Sequence, residues 1–166
     1  YAHFDSVNPD LHKNEDIIYH VNKILPSDIA IYGIYEITND AHSRFSAISR
    51  TYEYHISTCK DPFLEGLAMF YTAPLDLDAM NKATQLLFHY TDFTSFAKLH
   101  AQTKTNNCRI IKAHWEKQGH ILVFTIQADR FLRNMVRAVT GTLLEVGKGN
   151  LDVEGFKQVI EKKNRC

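Results

Sequence analysis

The sequence predicts an α+β fold, a mostly antiparallel mixed sheet with helices packed on one face. Three observations carry this. Residues 50–57 alternate with period two, residues 109–127 read as a hairpin, and several segments repeat apolar residues at helical spacing.

Each element follows in order. From Asn14 to Leu25, the residues Ile17, Ile18, Val21, Ile24 and Leu25 share one helical face, and Pro26 stops the helix. Ile29 to Ile37, rich in Ile and Tyr, is expected to be a strand. Asn39 to Ser43 is a polar turn, and Phe45 to Ser57 is expected to be a second strand. Its alternation puts Arg50, Tyr52, Tyr54 and Ile56 on one face and Thr51, Glu53, His55 and Ser57 on the other. A loop around Pro62 leads to a short strand, Leu67 to Thr72. Asp76 or Asp78 is placed to cap a helix from Ala79 to Tyr90, whose apolar face is Met80, Ala83, Leu86, Leu87 and Tyr90. Asp92 to Lys98 is an aromatic and polar loop, and His100 to Asn107 is a polar, flexible stretch. Arg109 to Lys117 and His120 to Gln127 are two strands joined at Gln118-Gly119. The strongest helix gathers Phe131, Leu132, Met135, Val136, Val139, Leu143 and Val146 on one side, and Gly147 and Gly149 end it. A last helix runs from about Asp152 to Lys162.

Composition narrows the classes. The chain has 166 residues, 45% of them hydrophobic, which suits one globular domain spanning 1–166. Its apolar runs fall short of the 18 or so residues of a membrane span, and no secretory leader is visible. The three cysteines are an odd number without a CxxC pair, as expected of reduced thiols in a cytoplasmic protein. The nine histidines are scattered without HxxxH spacing, so no metal site is expected. Net charge is zero, which excludes a polyelectrolyte surface but not a local basic groove. GxSxG, GxGxxG and P-loop motifs are absent.

Three groups could carry chemistry. Arg130, Arg133 and Arg137 stand at i, i+3 and i+7, one stripe if the segment is helical throughout. The stripe is either a solvated face or a grip for carboxylate or phosphate, and it lacks interleaved acids. Asn134 and Gly141 on that side point to a close approach from outside. The strand face Arg50, Tyr52, Tyr54 could stack a base, and a tyrosine hydroxyl can move a proton; a sheet face covered by a helix would look the same. Asp92-Phe93-Thr94-Ser95-Phe96 could pack a helix terminus or shape a pocket. Lys98, Lys104, Arg109 and Lys112 read either as phosphate contacts or as solvated charge.

Three blocks then carry a resemblance: Phe45-Ser-Ala-Ile-Ser-Arg50-Thr-Tyr52-Glu-Tyr54, Asp92-Phe-Thr-Ser-Phe96, and Ala128-Asp-Arg-Phe131-Leu-Arg-Asn-Met135-Val-Arg137-Ala-Val-Thr-Gly141-Thr-Leu-Leu144-Glu-Val-Gly147. In order and spacing they resemble the TruA-type tRNA pseudouridine synthases, over essentially the whole chain. The resemblance implies the pseudouridine synthase fold and isomerisation of uridine at positions 38 to 40 of the tRNA anticodon stem-loop. It implies no cofactor. Its nucleophilic aspartate lies in a Gly-Arg-Thr-Asp-x-Gly-Val-His-Ala segment, which this chain lacks and which would precede Tyr1. The chain therefore reads as a catalytic-domain portion trimmed at both ends, and inactive by itself. Asp5, Asp92 and Asp129 do not stand in the nucleophile's motif. By resemblance, Tyr52 stacks under the flipped uracil, and Arg137 pairs with the nucleophile and keeps it ionised. Phe131 and Leu144 wall the pocket, and Arg50, Lys98, Lys104, Arg109, Arg130 and Arg133 are backbone contacts to RNA. Asn106-Asn107 departs from the proline and aromatic common in the family. Family members are homodimers holding tRNA across both subunits, so a neutral chain would bind through a composite basic cleft.

Overall fold

A computed structural model describes residues 1–98 and 104–164. His100, Cys166 and the 100–103 part of the polar stretch lie outside the described residues. The chain divides into two compact units, Tyr1–Ala47 and Ile48–Cys166.

The first unit contains a 3-10 turn, Leu11–Lys13, and helix α1, Glu15–Ile24. Leu25 is extended and ends α1 just before Pro26, as expected from proline's effect on its predecessor. Ile17, Ile18, Val21 and Leu25 are half-buried, whereas Ile24 is exposed. The expected strand from Ile29 to Ile37 does not form. A strand needs a partner ladder, and here the Asn22 side chain takes that role: it accepts from the Ile31 N–H at 2.7 Å and donates to the Ile31 carbonyl at 2.8 Å. Tyr32 and Tyr35 are left in solvent. The strand expected from Phe45 also starts later. His42 Nδ1 accepts from the Arg44 and Phe45 N–H groups, and the Ser46 N–H returns to the His42 carbonyl at 2.8 Å, so 43–45 is a turn.

The second unit holds the sheet. Strands β1 (Arg50–Ser57), β2 (Met69–Phe70), β3 (Ile110–Gln118) and β4 (Ile121–Ala128) lie in the order β2-β1-β4-β3. β1 and β3 run antiparallel to β4; β2 runs parallel to β1 and is only two residues long, shorter than the expected Leu67 to Thr72. The β3–β4 hairpin turns at Gly119-His120, one residue later than expected, with Gly119 at φ +61° where glycine is at ease. Helices α2 (Leu77–Gln85), α3 (Met135–Gly147) and α4 (Val153–Glu161) pack together, with α2 against β3.

The core is the sheet face that those helices cover. Ile56, Leu122, Phe124, Ile126, Ala128, Ala113 and Trp115 meet Met80, Val139, Leu143 and Phe156 there. Burying one large apolar side chain contributes about 1.5–3 kcal/mol. Asp76 caps α2 through the Ala79 N–H, which resolves the choice between Asp76 and Asp78. α2 then tightens into a 3-10 segment, Leu86–His89, instead of continuing to Tyr90. Asp152 caps α4 through the Gly155 N–H at 2.6 Å.

The largest departure concerns α3. The expected helix begins at Phe131, but the structure starts it at Met135. Asn134 has φ +71°, a left-handed conformation in which asparagine is several-fold favoured over most residues. Arg130 and Arg133 therefore lie in a turn before the helix, and only Arg137 is on it. The three-arginine helical stripe does not exist.

Candidate nucleic-acid site

The site is built at the end of the core-facing sheet surface. Register places Arg50 beside Ala128, Tyr52 beside Ile126 and Tyr54 beside Phe124. Exposure changes along this row. Ile56 is fully buried and Tyr54 packs against the core, but Tyr52 is 47% exposed. A helix does not cover the whole face: Tyr54 belongs to the core, with its hydroxyl 3.8 Å from the Met69 sulfur, while Tyr52 opens to solvent. Against Tyr52 stands Phe131, ring centroids 5.2 Å apart at 79°, an edge-to-face pair. The two rings come from β1 and from the turn after β4, so the pairing is tertiary.

Around that turn the chain gathers cations. The Lys98 N–H donates to the Arg133 carbonyl at 3.0 Å, which joins the segment after Phe96 to the turn. Asp129 Oδ1 accepts from the Arg109 N–H at 2.8 Å and from the Arg130 N–H at 2.7 Å. Arg50 pairs with Ala128, next to Asp129. Five of the six expected RNA contacts, Arg50, Lys98, Arg109, Arg130 and Arg133, are thus carried by segments bonded around one turn. Lys104 is exposed and stands outside these bonds.

Arg137 is exposed in the first turn of α3. That helix start carries no acid, and the Asn134 side chain makes no capping bond, whereas α1, α2 and α4 each have acid in the first turn. The positive end of the helix and a guanidinium together attract an anion, either carboxylate or phosphate. Gly141 lies further along α3 with open space outside it; a Cβ there would meet nothing within 4 Å. Leu144, two turns beyond Arg137, is 5% exposed and belongs to the core cluster.

The Asp92–Phe96 block packs a helix terminus. Phe93 and Phe96 are buried, Ser95 donates to the Ile160 carbonyl of α4 at 3.2 Å, and Phe96 lies 6.2 Å from Phe156. Asp92 accepts from the Thr94 hydroxyl at 2.6 Å and pairs with Lys163 at 3.1 Å. These bonds, the hydroxyl's first, hold its carboxyl below the usual carboxylate range. Burial pushes the Cys108 thiol up to about 11, with Arg130 opposing, so it is not a poised nucleophile. Among the described residues, no group of three or more His, Cys, Asp or Glu is placed to hold a metal, and no helix is long and apolar enough to cross a membrane.

Asp129 has no part in the sequence-based reading of this site, and Asn134 figures there as a sign of close approach rather than as a left-handed step. Both are residue types that make local backbone bonds or tolerate left-handed geometry; Asp129 directly follows β4 and Asn134 directly precedes α3. That was the available signal.

A sheet edge with a half-exposed tyrosine, an aromatic partner and a cationic turn defines a surface fit for stacking a base and gripping phosphate. The family model described as tRNA pseudouridine synthase matches residues 83–166, and the chain belongs to that family. It is similar to "tRNA pseudouridine synthase A" of Parabacteroides distasonis, 53% identical over 99% of this chain and 65% of the relative. The same-named protein of Bacteroides fragilis is 50% identical over 99% of this chain and 66% of its own length. That of Francisella tularensis subsp. novicida is 39% identical over 87% and 57%. The chain thus spans just under two thirds of the length of the first two of these curated relatives.

Proposed function

We propose that the protein containing this chain converts uridine to pseudouridine in the tRNA anticodon stem-loop, at positions 38 to 40. It does so in the cytoplasm, as a homodimer and without a cofactor. The observation that carries the reading is Tyr52, half-exposed against Phe131 beside a cation-bearing turn, in a chain whose relatives are named for this activity.

The chemistry assigns each residue a role. The target uridine leaves the stack, which costs a few kcal/mol. Tyr52 stacks under the uracil and offsets part of that cost, and Phe131 walls the pocket. Leu144, within the core, backs the wall. Arg50, Lys98, Lys104, Arg109, Arg130 and Arg133 hold phosphates on either side. The nucleophilic aspartate comes from the part of the protein that precedes Tyr1. Arg137 pairs with it and, with the N–H groups at the start of α3, keeps it ionised. The N1–C1′ bond of the nucleotide breaks, the uracil turns over, and C5 bonds to C1′. C5 then gives up its proton and N1 gains one, so atoms and charge balance without an oxidant. Tyr52 takes part in that proton movement.

The test is to map pseudouridine in the anticodon arm by carbodiimide labelling and primer extension, after incubation with the full-length protein or its Arg137→Ala variant. Stops one nucleotide 3′ of positions 38 to 40 that need Arg137 support the reading. Absence of stops, or stops that Arg137→Ala leaves unchanged, contradicts it. A protein that binds tRNA without modifying it would instead be an RNA-holding module.

A further inference from the structure

We propose that Asp129 is a positioning residue, whose carboxylate holds the turn after β4 so that Phe131 stands edge-on to Tyr52. The inference rests on the reading of Tyr52 as the base-stacking residue.

The last pair of the β3–β4 ladder is Ile110 with Ala128, beyond an irregularity that leaves Ile111 without a partner in the register. One residue further on, the Asp129 N–H donates to the Arg109 carbonyl at 3.2 Å. A continuing ladder would return a main-chain carbonyl to the Arg109 N–H. Here Asp129 Oδ1 takes that N–H instead, at 2.8 Å, and accepts the Arg130 N–H as well, at 2.7 Å. One oxygen therefore binds the strand beside it and the first peptide of the turn. It ends the ladder and fixes the direction in which the chain leaves the sheet.

The far end of the turn is held separately. The Arg133 carbonyl accepts the Lys98 N–H, Leu132 is buried in the core, and Asn134 makes the left-handed step into α3. Between Asp129 and Leu132 stand only Arg130 and Phe131. Phe131 also packs against the core, so loss of the carboxylate would loosen the path of those two residues and leave α3 in place. The mobile pair would be a wall of the base pocket and a phosphate contact.

Charge and geometry can be separated. Asp129→Asn and Asp129→Ala remove the same negative charge from beside Arg109 and Arg130, so both change the attraction for phosphate equally. Only asparagine keeps an acceptor oxygen in place. In the full-length protein with tRNA, the D129A single-turnover rate should fall roughly 10- to 100-fold, the scale of a small misplacement at a reacting centre. D129N should restore most of that rate. Where D129A does not fold, Asp129→Glu replaces it: the charge stays but the oxygen moves by one methylene, and the rate should again fall below that of D129N. Equal rates in D129N and D129A, or in D129N and D129E where D129A does not fold, would overturn the proposal. A protein without activity even when unmutated would refute the functional reading instead. In that case the nuclear Overhauser contact between the Tyr52 and Phe131 rings still decides. It should persist in D129N and vanish in D129A, or in D129E where D129A does not fold, and its persistence there would overturn the positioning role.

Discussion

Tyr52 and Phe131 lie 79 residues apart and touch only because β1 and the turn after β4 share one end of the sheet. Tyr52 keeps nearly half its surface open, so its hydroxyl is not needed by the core. Tyr52→Phe in the full-length protein should therefore leave stability within about 0.5 kcal/mol. Its single-turnover rate should fall about 10²-fold or more, as for loss of a proton-transfer group, while tRNA affinity changes little. An unchanged rate would remove Tyr52 from the chemistry. Asp92 gives a pH prediction. Its carboxyl is held low by the Thr94 hydroxyl and then by Lys163, so its stabilisation is present above the unfolded value of about 3.9. That stabilisation is lost as pH falls through the lower folded value. The stability advantage of the wild type over Asp92→Asn should be full at neutral pH and shrink below about pH 4 in urea titrations. A pH-independent difference would put the effect elsewhere. At this scale the sequence exposed residue types but not their environments. Arg50, Tyr52 and Tyr54 share a face by alternation, yet only tertiary packing makes Tyr54 core and leaves Tyr52 open.

At the scale of elements, the legible parts were those with local causes. The β3–β4 hairpin follows from alternation around a glycine, and α4 follows from Asp152 as a cap and Phe156 and Ile160 as an apolar face. Asp152→Ala should cost about 1 kcal/mol by loss of the bond to the Gly155 N–H, measured by denaturant unfolding. No change would mean that another group caps α4. The illegible parts had distant causes. Apolar spacing from Phe131 to Val146 fits one continuous helix, but Asp129 and Lys98 fix bonds that require a turn up to Asn134. Ile29 to Ile37 has strand composition but no ladder partner among the described residues; the Asn22 side chain bonds the Ile31 backbone instead. Gly147 closes α3 where a Cβ would strike Met80 and come within 3.1 Å of Leu75. Gly147→Ala should therefore destabilise by about 1–3 kcal/mol in the same unfolding experiment, an overpacking cost. A neutral result would show that Met80 shifts freely.

For the whole molecule, a net charge of zero coexists with cations collected around one turn. On the proposed reading, distribution rather than total charge governs RNA binding. The tRNA affinity of the full-length protein should fall steeply with salt, log Kd rising linearly with log salt concentration at a slope near 0.7–0.9 per phosphate neutralised. A flat response would argue against a basic cleft. The family was legible from motif order, whereas the joining of the cationic segments by backbone bonds required the fold. The most direct test of the account is tritium release from tRNA carrying C5-tritiated uridine, incubated with the full-length protein. C5 loses its hydrogen only when it becomes the new point of attachment to ribose. The account predicts release that approaches one tritium per modified uridine and collapses in Arg137→Ala. A folded, tRNA-binding protein that releases none would contradict it.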